Sequence, residues 1–183
     1  METHWTTLGR QPVYRGRTTI VDHTVELPDG SRSTYEVDES VPFAVAVLVI
    51  DDDRVLLTRQ YRYPLDAWIL DLPAGGGEPG EEPEQAARRE LEEELGLVAV
   101  DLVPLHTFFV NPGRSAWPVH VFSCLATTTG TASLDDASEQ VRLVTLRVVE
   151  LDAAIRAGDI VDPTLLVART MAAATGLLPP LGR

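Results

Sequence analysis

Hydrophobic and polar positions along the chain switch between a period of two and a period near 3.6, and these switches lay out the elements. Phe43 to Ile50 is an unbroken apolar run, the pattern of a strand covered on both faces. Asp51-Asp52-Asp53 predicts a solvated hairpin tip, and Val55 to Tyr63 the next strand. Trp68 to Leu72 is a third, short strand, followed by a glycine-rich loop. The period then lengthens. Pro83 to Leu95 predicts a helix, with proline in its first turn and Gly96 as the left-handed residue past its end. Strand patterns return at Ala99–Val110, Val119–Ala126 and Val141–Val148. Two helices close the chain, Leu151–Ala157 and Thr164–Thr175, the second capped by Asp162-Pro163 and ended by Gly176.

Ahead of these elements lies a separate pattern. Thr18 to Leu27 is rich in β-branched residues, Pro28-Asp29-Gly30-Ser31 is a turn signal, and Ser33 to Val37 returns. Glu39-Ser40-Val41-Pro42 marks a boundary. The reading is therefore a small N-terminal antiparallel β unit over residues 1–40 and a main domain over 41–183. Few helices among mixed strands, without strict β-α alternation, give the α+β class. Two strands alone are marginally stable. With Trp5, Val13, Tyr14 and Ile20 adding apolar surface there, the unit is expected to pack on, or swap with, a partner subunit in a homodimer.

Composition narrows the function classes. At 183 residues, with 44% hydrophobic and 23% charged positions, the chain can bury one sizeable core. No apolar run is long enough to span a bilayer. Met1-Glu2-Thr3-His4-Trp5 lacks the basic and apolar regions of a secretory signal, so a cytoplasmic location is expected. The single cysteine, Cys124, lies in an apolar run and reads as a small buried residue. A net charge of −13 repels nucleic acid and anionic membranes, and neither is expected as a partner. There is no lysine, so direct contacts to phosphate must come from arginine or backbone N–H groups.

The candidate chemistry lies in the helix. Glu90, Glu93 and Glu94 are spaced i, i+3, i+4 and share one face, beside an apolar stripe of Ala87, Leu91 and Leu95. Like charges so placed repel one another. A hard divalent cation with a taste for oxygen ligands, Mg²⁺ or Mn²⁺, relieves them. The absence of a neighbouring His or Cys argues against zinc. Arg89, one turn before Glu93, is placed to orient it through a bidentate pair. Gly75, Glu81, Arg89, Glu90, Leu91, Glu93, Glu94, Gly96 and Leu97 together fit G-x5-E-x7-R-E-U-x-E-E-x-G-U, with U aliphatic, at every fixed position.

That pattern is the Nudix box, and the chain resembles Nudix hydrolases. Arg59-Gln60-Tyr61-Arg62-Tyr63 and Leu70-Asp71-Leu72-Pro73-Ala74-Gly75 look like the ADP-ribose and nucleoside-diphosphate-sugar pyrophosphatase branch. The resemblance implies an α/β/α sandwich with a mixed sheet, and Mg²⁺-dependent hydrolysis (Mn²⁺ as the alternative) of the diphosphate in a small nucleotide. It implies Glu90 and Glu94 as main metal ligands, Glu93 as ligand or water activator, and the Ala74 carbonyl as a further ligand. Gly75, Glu81 and Arg89 become supporting residues.

Two segments depart from the pattern. The branch often carries a late loop glutamate as base or extra ligand. Here Glu139 is the candidate, with Asp135 and Asp136 as rivals. After Asn111-Pro112-Gly113-Arg114-Ser115, an acidic residue is common, yet this chain has Ala116-Trp117-Pro118. Arg114 and Trp117 are candidate substrate contacts, the latter by stacking on a base or sugar or else by covering the core. Arg59 and Arg62 are out of phase on a strand, and Arg62 is preferred for phosphate. His106, His120 and Trp68 read as structural. Two other functions stay open: a pyrophosphatase for damaged nucleoside triphosphates, and a Nudix-fold sensor that binds a nucleotide without turnover.

Overall fold

The computed structural model of the protein describes residues 3–132 and 140–181. The N-terminal unit is a three-stranded antiparallel sheet: β1 (Thr6–Arg15), β2 (Thr19–Glu26) and β3 (Arg32–Asp38), in that order. The patterning anticipates β2 and β3 but not β1. All ten residues of β1 are exposed, so no alternation marks it. Gly9 and Pro12 interrupt it further, at register shifts between Thr7 and Gly9 and between Pro12 and Tyr14.

The main domain continues with β4 (Ala44–Asp51), β5 (Arg54–Arg62), β6 (Ala67–Asp71), β7 (Ala74–Gly76) and α1 (Pro83–Leu95). It ends with β8 (Leu97–Ala99), β9 (Val103–Phe108), β10 (Val119–Cys124), β11 (Thr127–Thr129), β12 (Val141–Arg147), α2 (Val148–Ala157) and α3 (Pro163–Ala174). Its large sheet runs β12-β5-β4-β10-β9, with β6 added to β5 and β7 to β4. The β10–β4 pair is parallel and its neighbours are antiparallel, so the sheet is mixed. β8 and β11 form a separate ribbon.

The unbroken apolar run of β4 follows from its place between two cores. Ala46, Leu48 and Ile50 face a cluster completed by Val148 and Leu151 of α2 and by Leu165, Ala168 and Ala172 of α3. Val45, Val47 and Val49 face the other way, onto Ala86, Ala87 and Leu91 of α1. Helices therefore cover both faces in an α/β/α sandwich. Each fully buried Val or Leu contributes about 1.5–3 kcal/mol of transfer free energy. Cys124 is buried within the α1-side core.

The run expected as one strand over Ala99–Val110 is broken. The Asp101 carboxylate accepts the N–H groups of Leu125 (3.1 Å) and Ala126 (3.0 Å), which turns the chain between β8 and β9. Arg169, inside an otherwise apolar helix, is fully buried. It donates to Asp152 of α2 at 2.7 and 2.9 Å and to the Pro179 carbonyl at 2.9 Å, fastening α2, α3 and the tail together. Among the described residues, no helix is long and apolar enough to cross a membrane.

Candidate active site

The site forms where the sheet opens. β4 pairs with β5 through residues 49–51 and 54–56, whereas β6 takes the place beside β5 from Thr58 onward. Leu72 and Pro73 leave β6 there, and β7 returns beside Ala44–Ala46. α1 is then launched by a capping interaction in which Gln85 Oε1 accepts the Glu82 N–H at 3.2 Å. It ends at Gly96, whose φ of 63° lies in the left-handed region that glycine adopts without strain.

Arg89 organises the loop and the acidic face together. Its Nε and Nη2 donate to the two Glu81 oxygens at 3.0 and 3.1 Å, and Nη2 also reaches the Gly76 carbonyl at 3.0 Å. Its Nη1 donates to Glu90 Oε1 at 2.7 Å and Glu93 Oε2 at 3.1 Å. The bidentate pair thus forms with Glu81, and Glu93 receives a single bond. The reason is geometric: the loop carries the Glu81 carboxylate in front of the guanidinium fork, while Glu93 meets only one of its tips. Arg89 holds the Glu81 carboxyl below its usual range, and Glu81 in turn accepts the Glu78 N–H at 2.9 Å.

Gly75 is glycine because of Glu90. A β-carbon at residue 75 would fall onto the Glu90 carboxylate. At Gly77 it would strike the Phe43 ring. The loop backbone therefore runs directly beneath the acids of α1.

Glu94 points inward, and its Oε2 accepts the Ala74 N–H at 3.0 Å. Burial pushes its carboxyl up to about 8, helped by repulsion from Glu90 and Asp71 and opposed by the Ala74 bond and Arg62. Asp71 is only 2% exposed. It accepts from Arg62 Nη2 at 2.6 Å and from the Leu72 N–H at 2.8 Å. Asp162, the cap of α3, accepts the Leu165 N–H at 2.7 Å. Its carboxyl is pushed up to about 6 by burial and by Asp71. Neither Asp71 nor Asp162 was singled out from sequence for the site. Asp162 reads as a helix cap and no more. The only signal for Asp71 is a carboxylate between two leucines in a short strand, on the face that Arg62 also takes.

These residues form an oxygen-rich cluster in which burial and mutual repulsion leave negative charge under-compensated. Oxygen donors of this kind, without nitrogen or sulfur, suit a hard divalent cation. Among the described residues the acids do not already form a closed cage: Glu90 and Glu93 turn to Arg89, and Glu94 to the Ala74 amide. The set fits a metal whose binding draws Glu90, Glu93 and Glu94 away from these partners.

The fold thus brings Ala74, Gly75, Glu81, Arg89, Glu90, Glu93, Glu94 and Arg62 together. Arg114 and Trp117 gather elsewhere, at the junction with the N-terminal sheet. Arg114 pairs with Glu36 of β3 at 3.3 Å, and its carbonyl accepts the Asp38 N–H at 2.8 Å. Trp117 packs on the core and lines a cavity of about 250 Å³ with His23, Val37 and Val41. Val41 also lies against Gly76, so this junction abuts the loop that carries the acids. Of the weaker candidates, His120 bonds Thr107 at 3.1 Å, and His106 stacks on Phe108. Glu139, Asp135 and Asp136 lie outside the described residues.

The NUDIX domain model matches residues 41–163. An ADP-ribose pyrophosphatase of Bacillus subtilis is 40% identical over 120 residues, 63% of this chain and 63% of its own length. The chain therefore matches less than two thirds of that relative. A methanol dehydrogenase activator of Bacillus methanolicus is 33% identical over 166 residues, covering 88% of this chain and 89% of the other. Among solved structures, an ADP compounds hydrolase superposes with a TM-score of 0.82 over 96% of this chain and 98% of that one, at 24% identity. That last likeness concerns the fold.

Proposed function

The chain belongs to the NUDIX family, and on that premise we propose that it hydrolyses the diphosphate of ADP-ribose or a nucleotide sugar. Water adds across the P–O–P bridge, giving a nucleoside monophosphate and a phosphorylated remainder. The observation that carries this reading is a complete box whose acids Glu90, Glu93 and Glu94 share one face of α1, with Glu94 accepting the Ala74 amide. The substrate class rests on the Arg59–Tyr63 and Leu70–Gly75 segments and on the B. subtilis relative.

Glu90 and Glu94 would hold the cation, with Glu93 and the Ala74 carbonyl as further ligands. Mg²⁺ is the proposed ion and Mn²⁺ the alternative. When bound, such an ion neutralises the diphosphate and lowers the pKa of bound water. The protein's own residues do the rest. Arg89 and Glu81 keep the loop and helix in register, and Gly75 leaves room for the Glu90 carboxylate. Asp71 holds one Nη of Arg62 and leaves its other donors for a phosphate oxygen. Glu93 or Glu139 takes the proton from the attacking water. Arg114 and Trp117 meet the remainder of the substrate at the junction with β3.

The N-terminal sheet is proposed as the dimerisation element, since β1 is exposed along its whole length and Trp5, Val13 and Tyr14 are each more than half exposed. A cytoplasmic location is proposed with it. The test is a panel of ADP-ribose, nucleotide sugars, dinucleotides and nucleoside triphosphates with Mg²⁺, scored for released phosphate esters. Turnover led by ADP-ribose or a nucleotide sugar is expected. Preference for triphosphates would overturn the substrate class, and binding without turnover would overturn the hydrolase.

A further inference from the structure

A second site lies on the opposite face of β5 from Arg62. Val55 and Leu57 face the core under α2 and α3, so Arg59, two residues on, shares that face. On the next strand Arg142 stands directly opposite Arg59, with Val144 opposite Leu57 and Leu146 opposite Val55. On the other side Leu70 pairs with Arg59 and Trp68 with Tyr61. Here the helices no longer cover the sheet, and a cavity of about 340 Å³ opens, lined by Arg59, Trp68, Leu70, Val144, Leu146 and Asp159.

Three observations point to an anionic occupant. Like charges directly opposite on paired strands destabilise a sheet, yet Arg59 and Arg142 are so placed. Among the described residues, neither has a carboxylate within ion-pair distance. Finally, the Arg142 guanidinium is already oriented, 4.8 Å over the Trp68 ring, which lowers the entropy cost of using it. Among the described residues Asp159 is the one acid on the cavity wall; Arg59 faces it there, and Arg142 stands beside the wall, over the Trp68 ring.

From this arrangement we infer that the cavity binds a phosphomonoester: Arg59 and Arg142 take the phosphate, and Leu70, Val144 and Leu146 take the sugar ring. The volume sits at the lower end for small-molecule pockets, about 300 Å³ and upward. A volume of that size suits a sugar phosphate or a nucleoside monophosphate. The site does not depend on the metal centre, and its ligand is of the chemical class that diphosphate hydrolysis releases.

The test is calorimetric titration of the full chain in excess chelator, which removes metal-dependent binding at the acidic helix. The probes are ribose 5-phosphate, adenosine 5′-monophosphate and inorganic phosphate. One binding event is expected for each phosphomonoester, weakened about ten-fold or more in Arg59→Gln/Arg142→Gln. Arg54→Gln, on the same strand but remote from the cavity, should bind as the wild type does. Unchanged kcat in the double variant with Mg²⁺ would show that the fold survives. Absence of binding in the wild type would overturn the inference, as would equal affinity in the double variant. So would inorganic phosphate binding as tightly as the esters. A double variant with altered oligomeric state would assign the two arginines to a subunit interface instead and overturn the site. None of these outcomes bears on whether the acidic helix hydrolyses diphosphates.

Discussion

Replacing Gly75 by alanine should damage catalysis far more than folding. The new methyl group would occupy the space of the Glu90 carboxylate. Ordinary contact between a methyl carbon and an oxygen or carbon atom needs roughly 3.5 Å, so the carboxylate must retreat by about 1 Å or more. A displacement of about 1 Å in a catalytic constellation costs on the order of 100-fold in rate, equivalent to about 2.7 kcal/mol. Overpacking of this kind costs about 1–3 kcal/mol of stability, partly relieved here because Glu90 can turn. The expected result is a folded protein whose kcat falls about 100-fold and whose Mg²⁺ requirement moves to higher concentration. Gly76→Ala is the matched control. Its β-carbon would meet only the Val41 side chain, at 3.0 Å, which is half-buried and need shift only a few tenths of an ångström, so kcat should fall less than ten-fold. Initial rates across a Mg²⁺ titration, with thermal unfolding alongside, decide the matter. Wild-type kcat and metal response in Gly75→Ala would refute the role given to Glu90.

Asp162→Asn should stabilise the protein above pH 6. The folded-state pKa of about 6 exceeds the ordinary aspartate value of 3.8, so the unfolded chain loses its proton first, and stability falls as pH rises between them. That shift corresponds to at most about 3 kcal/mol, or about 1–2 after solvent screening. Because Asn keeps the cap, Tm should rise by a few degrees at pH 8 and little near pH 4. An equal gain at both pH values would refute the electrostatic cause. If Glu139 is the base, Glu139→Gln should lower kcat by about ten-fold to a few hundred-fold with a smaller change in KM, and Asp135→Asn and Asp136→Asn should cost less. Unaltered kcat in Glu139→Gln beside a crippled Glu93→Gln would move the base to the helix. Light scattering should give a dimer at micromolar concentration, and a monomer would remove the role proposed for the N-terminal sheet.

The features legible in sequence were those with a strong local cause. α1 and its acids could be read because proline, glycine and the i, i+3, i+4 spacing fix a helix and its faces without reference to the rest of the chain. β4 could be read because burial on two sides leaves no polar position. β1 could not, because an exposed strand has no alternation, and Gly9 and Pro12 obscure what pattern remains. Within the site, the choice of Glu81 over Glu93 as the bidentate partner of Arg89 depends on where the loop returns in space, eight residues earlier in the chain. Asp71 and Asp162 meet only when α3 docks across the opening in the sheet, a contact between positions far apart in sequence. Arg59 and Arg142 face each other through strand register, which periodicity alone does not specify.

The most direct test of the central claim is the rate of ADP-ribose hydrolysis measured with chelator, with Mg²⁺ restored, and in Glu94→Gln. Glu94 is buried and bonded to the Ala74 amide, so the amide side chain of Gln keeps the volume and an acceptor for that bond while removing a charged ligand. Hydrolysis should vanish in chelator and return with Mg²⁺. The Glu94→Gln protein should keep its fold and lose most turnover at every Mg²⁺ concentration. Full activity in excess chelator, or normal turnover by Glu94→Gln, would contradict the assignment of the acidic helix as a metal-dependent hydrolytic centre.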